Sequence, residues 1–252
     1  MRRLYTREWQ GIPFSSFAKT STSHLADSDF YNSFYRTFFD RYKNYGELDP
    51  EWRKTKDELS EWLVNRFASG GKVLSVGCGL GYIEQDMFGK YGDVIELHVQ
   101  DYAGEAHRWL QGVLPEDRIH RANSHSEDIG QYDLIYLSAV DYALQDKELE
   151  ELLARLGPAL TPAGELIMIS SSFVGDSTLG RAWAWCKDAA KALLERLGLY
   201  NRGQFWGWMR TRDEYQSVIR SAGYKAVHDG FISTPSQHTY WISGNWSPES
   251  DR

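Results

Sequence analysis

Gly77, Gly79 and Gly81 stand three in five residues, directly after the apolar run Lys72-Val73-Leu74-Ser75-Val76. Glycines this dense let a backbone turn through positive φ and let a ligand approach where a Cβ would collide. The stretch therefore reads as a buried strand turning into a helix, with a nucleotide-like ligand on the turn. Further on, Val94-Ile95-Glu96-Leu97-His98-Val99-Gln100 ends in Asp101, where a carboxylate can accept two hydrogen bonds from a ribose diol. The dinucleotide fingerprint G-x-G-x-x-G needs a glycine where this chain has Tyr82, which weakens an NAD reading.

A second acid, Glu84, falls in the first helical turn after the loop. It is read either as a carboxylate for a cationic group of the ligand, a charge-assisted bond, or as a first-turn acid favoured by the helix dipole. His98 belongs inside its strand. His107, His120, His228 and His238 show no metal-ligand spacing, so no metal is expected.

The elements that must hold these residues follow from period and punctuation. A polar, Ser/Thr-rich stretch through Ser28 has weak periodicity and is expected to order on binding. Phe30, Tyr31, Phe34, Tyr35, Phe38, Phe39 and Tyr42 then recur at helical steps, giving one aromatic stripe that either packs on the main domain or covers the substrate. Asp49-Pro50-Glu51 starts a helix running to about Ala68, with Leu59, Trp62, Leu63 and Phe67 on one face, and Gly70-Gly71 ends it. Ile119 marks a third strand. Leu149, Leu152, Leu153 and Leu156 stripe a further helix, another is expected from about Leu179 to Leu197, and Thr211 with Glu214 forms a capping box. Two closing strands fall near Lys225 to Phe231 and Thr239 to Ser243. Strand and helix alternate, so the sheet should be largely parallel with right-handed crossovers.

This ordered set resembles the class I S-adenosylmethionine-dependent methyltransferases. Their first motif runs hydrophobic-Leu-Asp-x-Gly-x-Gly-x-Gly, and their second strand ends in a ribose-binding acid. Tyr132-Asp133-Leu134-Ile135-Tyr136-Leu137-Ser138 is similar to the fourth strand and Leu160-Thr161-Pro162-Ala163-Gly164-Glu165-Leu166-Ile167-Met168-Ile169 to the loop and fifth strand. The resemblance implies an α/β, Rossmann-like, mostly parallel seven-stranded sheet with helices on both faces. Its sixth and seventh strands form an antiparallel edge. Residues 1–48 would be an N-terminal extension and cap helix, and 49–252 the methyltransferase domain, with an insertion at about 171–210.

It also implies S-adenosyl-L-methionine as cofactor and S-adenosyl-L-homocysteine as product. Ser75, Gly77, Cys78, Gly79, Gly81 and Tyr82 would line the loop, and Asp101 and Tyr102 would border the ribose and adenine. Asn123 and Ser124 would lie at the adenine edge or act as turn formers, and Ser138 and Ala139 would follow strand four. Ser75 departs from the pattern by standing where the family carries an acid, and Glu84 is the substitute offered for the cofactor's ammonium group.

Composition bounds the rest. A net charge of −7 argues against a nucleic-acid surface, and two cysteines, Cys78 and Cys186, fit a reducing compartment. With no signal peptide or membrane-length apolar run, the expected location is cytoplasmic. An exposed aromatic stripe would favour a homodimer.

For catalysis, Asp141 after strand four is the candidate general base and Tyr142 shapes the pocket, with Asp141 as helix cap the alternative. His24 and His125 are weaker candidates. Gly203-Gln204-Phe205-Trp206-Gly207-Trp208-Met209-Arg210 carries two of the ten tryptophans in an expected loop. Indoles stack on sugar faces while Gln204 and Arg210 bind hydroxyls, similar to methyltransferases of bacterial polysaccharide synthesis. Alternatively, Trp206 and Trp208 pin the insertion to the N-terminal helices. The expected reaction is O-methylation of a small molecule or glycan. Small-molecule N-methylation, a non-catalytic binding protein of this fold, and a protein or RNA methyltransferase are the rivals.

Overall fold

Near-continuous apolar runs pair into a seven-stranded sheet, because helices cover both faces and successive side chains of a central strand each have a layer to bury against. The protein is described from a computed structural model covering residues 2–14, 25–66, 70–121, 130–175, 178–235 and 238–247. In chain order the elements are β1 (Arg2–Thr6), β2 (Glu8–Trp9), β3 (Ile12–Pro13), α1 (Ser28–Arg41), α2 (Pro50–Val64), β4 (Gly71–Val76), α3 (Tyr82–Tyr91), β5 (Ile95–Asp101) and β6 (Ile119–Arg121). They continue as β7 (Tyr132–Ser138), α4 (Asp146–Leu156), β8 (Leu160–Ser170), α5 (Thr178–Arg196), β9 (Gln204–Met209), α6 (Arg212–Ser221), β10 (Tyr224–Ser233) and β11 (His238–Trp246).

The sheet order is β10-β11-β8-β7-β4-β5-β6. Strands β4, β5, β6, β7 and β8 run parallel, and β11 is antiparallel to both β8 and β10. The expected antiparallel edge is thus a hairpin whose second strand enters next to β8. Pleat alternation divides the core: Leu74, Ile135 and Leu166 face α4 and α6, while Val73, Leu134 and Ile167 face α2 and α3. Asp49 accepts from the Trp52 N–H at 2.7 Å and caps α2 ahead of Pro50. Helix α2 stops at Val64, short of the expected Ala68.

A third apolar cluster joins the N-terminal residues to the glycine loop. Phe30, Tyr31, Phe34, Tyr35, Phe38 and Phe39 of α1 are buried with Phe14, Leu80, Ala103 and Ala106. Each buried aromatic contributes about 1.5–3 kcal/mol of transfer free energy, so this helix is held by its stripe. The stripe being buried within the chain, it offers no exposed surface for a homodimer.

The structure also departs from the polar reading of the first residues. Strand β1 pairs antiparallel with β9, matching Arg2 to Met209 and Tyr5 to Phe205. Residues 204–209, expected as a loop, are therefore a strand. Its partner lies some two hundred residues away, and local periodicity carries no trace of so distant a pairing. Among the described residues no helix is long and apolar enough to cross a membrane.

Candidate active site

The carboxyl ends of β4, β5 and β7 open into a cavity of about 700 Å³, walled on one side by the glycine loop and on the other by α1, α2 and the strand β9. Parallel sheets place ligand sites at this end. The Gly77 and Cys78 N–H groups both donate to the Gln100 carbonyl, at 2.7 and 3.2 Å, which folds the loop back across β5. Gly77 has φ +72°, and a Cβ there would lie 2.4 Å from Val140. At Gly81, φ +74°, a Cβ would strike Leu110 at 2.4 Å. The loop therefore needs glycine at both positions, for backbone conformation and for space.

Asp101 ends β5 at the cavity edge and is 5 % exposed. Its two oxygens accept from the Gly79 N–H at 2.9 Å and the Ala103 N–H at 2.8 Å. A carboxylate has about four lone-pair sites, so capacity remains for a ligand diol. Burial pushes its pKa up to about 6, against the pull of those N–H donors.

Glu84 is 2 % exposed and lies on the same cavity wall. Ser75 Oγ and the Tyr136 hydroxyl each donate to its Oε1 at 2.6 Å. Ser75 and Tyr136 are register partners on β4 and β7, so two neighbouring strands aim hydroxyls at one carboxylate. Serine at the strand position is matched by a carboxylate supplied from the first turn of α3. Burial raises the Glu84 pKa while both hydroxyls and Lys56 lower it.

Cys78, Tyr82, Tyr102, Ser138, Ala139 and Tyr142 also line the cavity. Ala139 takes a left-handed φ of 57°, a conformation costing a non-glycine residue about 1–2 kcal/mol, and presents the turn after β7 to the cavity. Tyr142 stacks on Trp206 at 5.9 Å between centroids, and its hydroxyl lies 3.2 Å from that of Tyr31. Burial pushes the Tyr142 pKa up to about 12, leaving a neutral phenol. Asn123, Ser124, His24 and His125 lie outside the described residues.

Five expected site residues sit off the cavity wall; Ser75, 1 % exposed behind Glu84, reaches the site only through that carboxylate, and the other four lie elsewhere. Asp141 is fully buried and is absent from the cavity wall. Its Oδ2 accepts from Ser170 Oγ at 2.8 Å, from Ser172 Oγ at 3.1 Å and from the Tyr215 hydroxyl. Through Oδ2 the carboxylate ties the turn to β8 and α6, Oδ1 is buried with no hydrogen-bond partner among the described residues, and Asp141 does not line the cavity where an acceptor would lose a proton. Arg210 is fully buried, donating to Asp146 at 2.7 Å, to the Asp141 carbonyl at 2.7 Å and to the Leu144 carbonyl at 2.5 Å. Gln204 is buried and bonds the Phe205 carbonyl, and Trp208 packs edge-on against Phe205. Of the expected acceptor residues described, Trp206 alone reaches the cavity, where it also stacks on Phe14 at 4.6 Å.

Tyr31 and Tyr35 of the aromatic stripe line the cavity from α1 as well as packing on the main domain, and the residue sequence reasoning missed is Lys56, which lines it from α2. For Lys56 a signal existed: Trp52, Lys56, Leu59 and Leu63 share the apolar stripe of α2, and a lysine there is out of pattern. Among the described residues no cluster of His, Cys, Asp or Glu could hold a metal ion.

The profile of an O-methyltransferase domain matches residues 54–225. The chain belongs to this O-methyltransferase family. It is also 28 % identical over 181 residues to the tRNA U34 carboxymethyltransferase of Idiomarina loihiensis, a match covering 60 % of this chain and 52 % of that protein. The chain thus spans about half the length of that curated relative. Among solved structures, the magnesium protoporphyrin IX methyltransferase of Synechocystis PCC 6803 with bound S-adenosylhomocysteine aligns at TM-score 0.55 and 19 % identity, over 87 % of this chain and 97 % of that one. Human N-acetylserotonin methyltransferase with S-adenosylmethionine aligns at TM-score 0.53 and 17 % identity, over 93 % and 62 %. These likenesses establish the fold. The O-methyltransferase family's cofactor fits the cavity: the glycine cradle admits no Cβ at Gly77 or Gly81, and two buried carboxylates lie at its edge.

Proposed function

We propose that this O-methyltransferase-family chain moves a methyl group from S-adenosylmethionine to an oxygen of a small, ring-bearing molecule. The observation that carries the reading is the pairing of two buried carboxylates, Asp101 and Glu84, along one glycine loop. Asp101 binds the ribose diol and Glu84 the ammonium group, while Tyr102 covers the adenosine. The cofactor supplies an electrophilic methyl on a sulfonium. The chain's own task is to hold an acceptor oxygen in line with it, so that the O–CH3 bond forms as the S–CH3 bond breaks and S-adenosylhomocysteine is released. A carboxylate or phenolate acceptor has no proton to lose, and a hydroxyl acceptor gives its proton to solvent.

Tyr31, Tyr142 and Trp206 shape the acceptor end with flat faces and two phenol hydroxyls that orient without removing a proton. The described residues of the N-terminal segment, 2–14 and 25–48, serve as the cap over that end, since Tyr5, Tyr31 and Tyr35 line the cavity. A sugar acceptor keeps support from the Trp206 indole, but Gln204 and Arg210 are engaged within the protein and do not serve its hydroxyls. A tRNA acceptor is disfavoured by the net charge of −7.

The test is transfer of labelled methyl from S-adenosylmethionine to a panel of phenols, carboxylic acids, amines and sugars. Label on oxygen of a ring compound is expected. Trp206→Ala should raise the acceptor KM about tenfold, through loss of one stacked aromatic face, and leave the S-adenosylhomocysteine Kd within about threefold. Label on amines alone contradicts the proposal.

A further inference from the structure

Lys56 is the one cation among the described residues that line the cavity. It projects from the second turn of α2, half-buried, on the stripe otherwise made by Trp52, Leu59 and Leu63. Its Nζ lies 5.7 Å from the Trp52 ring centroid, and no acceptor among the described residues bonds it. Burial lowers its pKa and the charge of Glu84 partly restores it. Lys56 and Glu84 are therefore close enough to attract yet are not joined as an ion pair. Opposite charges left apart across a cavity fit a ligand that carries both signs in the reverse order.

We infer that Lys56 binds the carboxylate, as Glu84 binds the ammonium, of the amino-acid end of the cofactor, the two residues forming a clamp for a zwitterion. The inference rests on the proposed cofactor reading and adds a specificity residue to it. The other acids on the cavity wall do not compete for Lys56. Asp49 and Glu51 are exposed at the start of α2, with Asp49 Oδ1 engaged by the Trp52 N–H, and Asp101 is bonded to the Gly79 and Ala103 N–H groups. Holding both charged ends also fixes the chain that leads to the sulfur, so the clamp positions the methyl along the loop.

The experiment is calorimetric binding of three adenosine thioethers to the full chain. S-adenosylhomocysteine carries both charges, its decarboxylated analogue the ammonium alone, and 5′-methylthioadenosine neither. Wild type should prefer S-adenosylhomocysteine over the decarboxylated analogue by about 10- to 100-fold, the range of a charge-assisted bond. Lys56→Met should erase that preference and leave methylthioadenosine affinity unchanged, and Lys56→Arg should recover part of it. Equal wild-type affinity for S-adenosylhomocysteine and the decarboxylated analogue overturns the inference, even if Lys56→Met fails to fold. So does a Lys56→Met variant that weakens all three ligands alike. If wild type binds none of the three, the cofactor reading itself fails and the clamp with it.

Discussion

Asp101→Ala weakens S-adenosylhomocysteine binding about 100-fold, equivalent to about 2.7 kcal/mol, the scale of two hydrogen bonds to a charged acceptor. The loss has two sources. The ribose diol loses its acceptor, and the Gly79 and Ala103 N–H groups lose the carboxylate that ties the glycine loop to the turn after β5. Because methylthioadenosine has the same ribose, it should weaken by a similar factor, which separates this residue from Lys56.

The same carboxyl makes binding depend on pH with a definite sign. Burial pushes its pKa up to about 6, and the ionised form is the one that accepts from both hydroxyls. Below pH 6 the ligand must displace a proton, so affinity should fall about tenfold between pH 8 and pH 5. Glu84, raised by burial as well, adds to the loss in the same direction. For the unliganded fold the sign reverses: a carboxyl whose native pKa is raised subtracts stability as the pH rises from its unfolded value through 6. Titration calorimetry from pH 5 to pH 8 checks the first statement. Asp101→Ala should abolish most of this dependence, and an equal fall in wild type and variant would assign it to another group.

Arg210→Met lowers stability by about 3–5 kcal/mol, because it leaves the carbonyls of Asp141 and Leu144 without their donor, while Asp146, 43 % exposed, resolvates. For a chain of this size that is about 6–20 °C in Tm. Asp141→Asn acts in the same direction, since the amide presents an N–H₂ group or a weaker acceptor to Ser170, Ser172 and Tyr215. Below the lowered Tm both variants should bind S-adenosylhomocysteine within about threefold of wild type, because neither side chain reaches the cavity. An Asp141→Asn protein with unchanged Tm and no turnover would return Asp141 to the role of general base.

Sequence legibility followed the range of the interactions. The glycine loop, Asp101, the α2 start at Asp49-Pro50 and the capping box at Thr211 are signalled by residues within a few positions, and each stands where the spacing placed it. Glu84 was readable as an acid in the right turn, but not its delivery by Ser75 and Tyr136, which depends on strand register between β4 and β7. Gln204 and Trp208 are misplaced because β9 pairs with β1 some two hundred residues away, which turns an expected loop into a strand with alternating faces, and Arg210, just beyond β9, bridges to Phe173 and is drawn inward by Asp146 and the carbonyls of Asp141 and Leu144. Asp141 follows the right strand, yet a turn built around Ala139 at positive φ points it into the core. Neighbouring residues alone do not encode that rotation.

The most direct measurement is the melting temperature with and without S-adenosylhomocysteine, run beside NAD and Asp101→Ala. Ligand at a hundred times its dissociation constant adds about 2.7 kcal/mol to the native state, or roughly 5–10 °C here. The predicted result is a rise of that size with S-adenosylhomocysteine, none with NAD and a much smaller one in the variant. No rise at saturating S-adenosylhomocysteine, or an equal rise with NAD, would contradict a cofactor site on the loop from Gly77 to Gly81.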